Sequence, residues 1–165
     1  MIYDTALRAQ SFHWLPADCA ELLNPSSPPV EAVVEKAAAP QRFELSVDAL
    51  FAFSRSSAAD LLPQGRRELD ALAAKLREAR QVDRLRIIGH TDRLGSPPFN
   101  ERLSLARAMT VRDHLVHAGV AARDMQVQGR GEAEPKVQCE QKGREELIAC
   151  LAPNRRVEIE VYGAQ

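Results

Sequence analysis

Residues 85–118 read LRIIGHTDRLGSPPFNERLSLARAMTVRDHLVHA, and this stretch constrains the fold more than any other. LRIIGH is a short apolar run with two adjacent isoleucines, β-branched residues that suit a buried strand. TDRLGSPP then breaks the run with turn chemistry. Ser96 is placed to cap a helix, and Pro97 fits the first helical position, where a missing N–H costs nothing. In the helix that follows, over 99–118, Leu105, Ala108, Val111 and Leu115 form one apolar stripe, and Gly119 suits the residue that ends it. At about 100° per residue, Arg107 lies roughly a right angle from the centre of that stripe. Its stem can rest on the core while its guanidinium faces the loop that carries Asp92. A carboxylate after a strand and an arginine on the next helix can hold opposite ends of one small zwitterion.

The remaining segments arrange themselves around this unit. Residues 1–40 lack a sustained period and end in NPSSPPVEAVVEKAAAP, a linker by composition. Phe12 and Trp14 fall in this tail, and the pattern assigns them to no element. The folded domain is expected over 41–165. Phe43, Leu45, Val47, Ala49, Phe51 and Phe53 alternate with mostly polar neighbours, which predicts one long strand, bent near Asp48. Pro63 opens a helix whose Leu69, Leu72, Leu76 and Ala79 recur at helical spacing. Met125 and Val127 mark a third strand, 129–143 a polar loop, GREELIACLA a short helix, and Val157, Ile159 and Val161 a last strand. The order β-α-β-α-β-(α)-β predicts an α+β fold. Its two layers are a mixed four-stranded sheet and a pair of long helices on one face.

Composition removes several functions. With 22 basic and 23 acidic residues, the chain carries no general field for nucleic acid or an anionic membrane. No run of 18 apolar residues spans a bilayer, and residues 1–30 show no secretory signal pattern. If the protein is exported, a signal or anchor is expected upstream of this sequence. Of three cysteines, Cys139 and Cys150 flank a short segment and Cys19 lies in the tail. Closing a loop of about 12 residues would remove roughly 3 kcal/mol of unfolded-state entropy. Spacing alone leaves a bridge and two buried thiols equally open. No Cys-x-x-Cys occurs, and His114 and His117, three apart on a helix, have no third zinc ligand placed with them. His90, on an apolar strand, is expected to be a hydrogen-bonded core histidine. Gly129-Arg130-Gly131 lacks the strand–turn–helix setting of a phosphate loop and reads as a tight turn. A hydrolase built from Asp92 and His90 with Ser96 or Ser104 is disfavoured, since no nucleophile elbow or zincin motif is present.

GHTDRLGS, FNERLSLARA, Gly129-Arg-Gly-Glu with Pro135, and NRRVEI at 154–159 occur in an ordered set over roughly 43–162. This set resembles the signature of the OmpA-like peptidoglycan-binding domain, GHTD-x-x-G, then YN-x-x-LS-x-x-RA. The resemblance implies a non-catalytic, cofactor-free module that binds the diaminopimelate of a peptidoglycan stem peptide. Asp92 and Arg107, fifteen residues apart as in the family, fall on its binding pair. Asp92 would take the ligand ammonium and Arg107 would fork its carboxylate. Thr91, Asn100 and Arg155 match further pocket positions, and Arg156 is expected on the other side of its strand. Ser54 stands where relatives often have Asn, and Phe99 where Tyr is common. The resemblance also favours a Cys139–Cys150 disulfide in an oxidising periplasm. It further implies a missing upstream membrane barrel or lipid anchor that tethers the domain to the outer membrane, and it leaves a homodimer open. The alternative it implies is a wall-anchoring domain of a motor stator or secretion-system component, which uses the same fold.

Overall fold

The computed structural model describes residues 39–79 and 81–163. The expectations for Phe12, Trp14, Cys19 and the linker lie outside the described residues.

Four strands form one mixed sheet: β1 (Gln41–Ser46), β2 (Arg84–His90), β3 (Asp124–Gly129) and β4 (Arg156–Tyr162). Their spatial order is β1-β4-β2-β3. The last strand is antiparallel to both neighbours, and β2 and β3 run parallel. Arg156 stands opposite Ser46 on one side and His90 on the other. The residue before β4 therefore sits at the same end of the sheet as the residues that follow β1 and β2. Sequence position alone conceals this convergence.

Leu85, Ile87, Val157, Ile159 and Val161 point to one face, where they meet the buried side chains of helices α2 (Pro63–Glu78) and α3 (Pro97–His117). Leu69, Leu72, Ala73 and Leu76 are the core side of α2. The α+β sandwich expected from the element order is thus observed. The opposite sheet face is charged but closely paired. Glu160 is buried there under Arg86 and Arg42, at 3.1 and 3.2 Å, and accepts a hydrogen bond from the Tyr162 hydroxyl. Lys136 also pairs with Glu44 on this face. Arg156 bonds Glu158 at 2.7 Å and the Glu134 carbonyl at 3.2 Å, on the face expected for it.

Three local readings need correction. The long alternating strand ends at Ser46, and Val47–Leu50 forms a single helical turn, α1. That turn resets the phase, so Leu50 and Phe51 are buried while Phe53 is 83% exposed. In α3 the inward stripe runs through Asn100, Ser104, Arg107, Ala108, Val111 and Leu115, and Leu105 is 38% exposed. Gly89 and Gly129 explain the change. A Cβ at Gly89 would lie 2.1 Å from the Ser104 carbonyl oxygen, and one at Gly129 would lie 2.5 Å from the Leu105 nitrogen. The helix backbone lies directly on the strand ends, so only a small residue fits inward. Ser104 fills that position, donating to the Glu101 carbonyl and accepting the Gly131 N–H at 2.9 Å. Ser96 occupies the N-cap of α3 without a side-chain capping bond, while Pro97 begins the helix as expected. At its other end Gly119 has φ +87°, and Val120 N–H bonds the Leu115 carbonyl, closing a Schellman motif.

His90 is 1% exposed, but neither ring nitrogen has a hydrogen-bond partner. The nearest carboxylate oxygen, of Glu158, is 3.7 Å from Nε2. The histidine is therefore buried on the charged face without the hydrogen bond expected of it. Burial first, and Arg156 second, push its pKa down to about 4, so it is neutral at pH 7.

Candidate functional site

The polar end of α3 and the ends of β1, β2 and β4 enclose a cleft of about 420 Å³. Ser54, Thr91, Asp92, Asn100, Arg107 and Arg155, the six residues singled out from the sequence, all line it. Phe51, Phe53, Leu94, Phe99, Leu103 and Ile148 supply its apolar walls.

Asp92 follows β2 and uses its two oxygens differently. Oδ1 accepts the Leu94 N–H at 2.9 Å, an Asx turn that fixes the loop. Oδ2 accepts from Arg155 Nη1 at 2.7 Å. Thr91 is held through its backbone N–H, which donates to the Gly131 carbonyl at 2.8 Å. Gly131 has φ +52°, and its segment forms the tight turn expected of Gly129-Arg-Gly131. The Thr91 hydroxyl is buried with no partner. Asn100 works within the protein, donating to the Asp92 carbonyl at 3.2 Å and to Glu132 at 2.5 Å.

Arg107 is buried, with its Nε–H on the Arg55 carbonyl at 2.9 Å and its guanidinium 5.9 Å from the Phe51 ring centroid. Among the described residues its Nη groups make no hydrogen bond, so these donors are available to the cleft. Burial lowers the pKa of Arg107, while the charges of Asp48 and Asp92 act in the opposite direction. Ser54 has φ +59° and is the one non-glycine residue with positive φ among the described residues. Asn tolerates that conformation better than Ser.

Arg155 is the most heavily engaged side chain of the cleft. Its Nε and Nη2 donate to the two oxygens of Asp48 at 2.9 and 2.8 Å, and Nη1 also reaches the Ile148 carbonyl at 3.1 Å. These bonds raise its pKa, with the Asp48 hydrogen bond the largest cause. Sequence reasoning treated Asp48 only as a bend in a strand. Asp48 falls in a regular polar slot of the alternation, so no local signal marks it, and its partner lies 107 residues away.

The segment between Cys139 and Cys150 forms the far wall. The two cysteines are joined in a disulfide, and α4 (Arg144–Cys150) carries Ile148 to the cleft. Arg93, next to Asp92, donates to the Cys139 carbonyl at 2.7 Å and ties this wall to the loop. The two helix histidines are engaged within the protein. His114 bonds Asp70 at 2.7 Å and His117 bonds the Asp113 carbonyl at 2.6 Å. Among the described residues no cluster of three or more His, Cys, Asp or Glu side chains is arranged to hold a metal.

The sequence model of the OmpA family matches residues 52–149, which includes the cleft loop and all of α3. The chain belongs to the OmpA family. Outer membrane protein A of Shimwellia blattae is 43% identical over 127 residues, covering 74% of this chain and 52% of that protein. The chain spans about half or less of the length of the curated relatives it matches, between 34% and 52% for the Shimwellia protein and one P5 protein of Haemophilus influenzae. Among solved structures, the peptidoglycan-associated lipoprotein of Burkholderia pseudomallei superposes with TM-score 0.56 at 27% identity, covering 72% of this chain and 88% of that one. The cell wall anchor of the T6SS from Pseudomonas aeruginosa gives TM-score 0.58 at 28% identity, covering 78% and 85%.

Proposed function

We propose that this OmpA family domain binds peptidoglycan non-covalently through the free end of diaminopimelate in the stem peptide. In this reading it holds an outer-membrane-tethered protein to the cell wall from the periplasmic side. The domain is a binding module and not an enzyme. The observation that carries the reading is the content of one cleft: a carboxylate after β2, a buried guanidinium with uncommitted Nη donors, and a buried hydroxyl without a partner. Diaminopimelate ends in an ammonium and a carboxylate on one carbon. Asp92 takes the ammonium, Arg107 takes the carboxylate, and Thr91 supplies a hydrogen bond. A stem with lysine at this place has no second carboxylate, so Arg107 stays desolvated and unpaired. Discrimination then follows from the unsatisfied group. The names of two solved relatives, a peptidoglycan-associated lipoprotein and a cell wall anchor, support wall attachment. The disulfide supports an oxidising compartment.

One small site with a few charged hydrogen bonds predicts Kd in the micromolar to millimolar range, roughly. Many stems along one polymer then add avidity. Titration of diaminopimelate-containing and lysine-containing muropeptides into wild type, Asp92→Ala and Arg107→Ala tests the reading. Wild type binds the diaminopimelate stem, and each variant loses that binding. Equal binding of the two stems, or full binding by both variants, overturns it.

A further inference from the structure

The cleft contains a second carboxylate that the Asp92–Arg107 pairing does not use. Asp48 reaches the cleft because α1 interrupts the strand: Val47 and Leu50 turn inward and Asp48 is left half-exposed on the cleft wall. Two of the Arg155 nitrogens bond its two oxygens, and a third lies on Asp92. One guanidinium thus bridges two carboxylates. Arg155 also occupies Asp92 Oδ2, the oxygen that a ligand ammonium needs.

We propose that Asp48 is a positioning residue for ligand discrimination, holding Arg155 in place while the ligand ammonium takes its position on Asp92. This rests on the reading of the cleft given above. In the exchange, the Asp92–Arg155 bond breaks and an Asp92–ammonium bond forms. Nε and Nη2 stay on Asp48 and fix the planar guanidinium, so Nη1 keeps its place and the N–H released from Asp92 is open to the ligand carboxylate beside Arg107. Arg107, whose Nη groups make no hydrogen bond among the described residues, gains its partner with the ligand carboxylate. Two carboxylates and two guanidiniums meet one ammonium and one carboxylate, so the occupied cleft stays neutral. Without Asp48, Arg155 loses two of its bonds and collapses onto Asp92, where it competes with the ammonium.

The probes are two synthetic stem peptides that differ only in carrying meso-diaminopimelate or lysine, titrated calorimetrically into the full chain. Asp48→Asn keeps the side-chain size and removes the charge. The diaminopimelate peptide is expected to bind about tenfold or more weakly to this variant, the scale for removing one partner of a hydrogen-bonded charge pair. Its advantage over the lysine peptide shrinks as well. A merely structural Asp48 would lower Tm and leave the ratio of the two affinities unchanged, and that result overturns the proposal. In an Arg155→Gln background, Asp48→Asn is expected to add little, because its effect runs through Arg155. Additive losses in the double variant would also overturn it. If wild type binds neither peptide, the cleft reading fails together with this one. If wild type discriminates and Asp48→Asn discriminates equally well, only this inference fails.

Discussion

His90 offers a quantitative test of the structure, because a buried imidazole without hydrogen bonds must make the protein acid-sensitive. The unfolded chain takes up a proton on this residue near pH 6.5, whereas the folded chain does so only near about 4. Between those values the unfolded state binds more protons, so folding stability rises with pH. The contribution is complete above pH 6.5, declines as the pH falls, and is lost below about 4. A gap between 6.5 and about 4 corresponds to about 3 kcal/mol at 1.36 kcal/mol per unit. Glu158 titrates with the same sign. Burial is the largest single influence and raises its pKa, but the bond to Arg156 and the charges of Arg156, His90 and Lys136 together hold the carboxyl below its usual range, so its stabilising effect is also lost in acid. A comparison with His90→Leu separates the two groups, since the variant retains Glu158 and Arg156. Urea unfolding of both proteins from pH 8 to pH 4 is the measurement. At pH 8 the leucine variant is expected to match or exceed wild type, because two unbonded ring nitrogens leave the interior, each an unsatisfied group costing roughly 1–3 kcal/mol. From pH 7 to pH 4 the variant is expected to gain about 3 kcal/mol relative to wild type. Parallel stability curves over that range would refute the account, since they would mean that the histidine is solvated or charged in the folded state.

Two further substitutions examine how the fold supports the cleft. Gly89→Ala places a methyl 2.1 Å from the Ser104 carbonyl oxygen, a backbone atom that cannot rotate away. The helix must lift from the sheet, at a cost of about 1–3 kcal/mol or more, and the shift separates Arg107 from Asp92. A lowered Tm together with weakened muropeptide binding in a protein that is still folded is the expected result. Ser54→Asn relieves a positive φ of +59° and is expected to raise stability by about 0.5–1 kcal/mol in chemical denaturation. A loss of stability would mean that the Ser54 hydroxyl has a role that the backbone conformation does not reveal.

Much of this molecule was legible in the order of its residues. The element sequence, the proline that opens α3 and the glycine that ends it are local chemistry, set by steric limits that act within a few residues of each position. The motif set that identifies the family is likewise linear, and it marked six residues that the structure brings to one cleft. Where the local reading failed, a distant contact overrode the pattern. Leu105 turned outward because Gly89 and Gly129 let the helix backbone rest on two strand ends. The strand after Ser46 gave way to a helical turn whose Val47 N–H donates to the Arg155 carbonyl. The pairing of charges belongs wholly to the tertiary structure. Arg155 joins Asp48 to Asp92 because β4 inserts antiparallel between β1 and β2, so the start of one strand meets the ends of two others. No periodicity encodes that meeting. It depends on which strands become neighbours, and that is decided only when the whole sheet closes over its core.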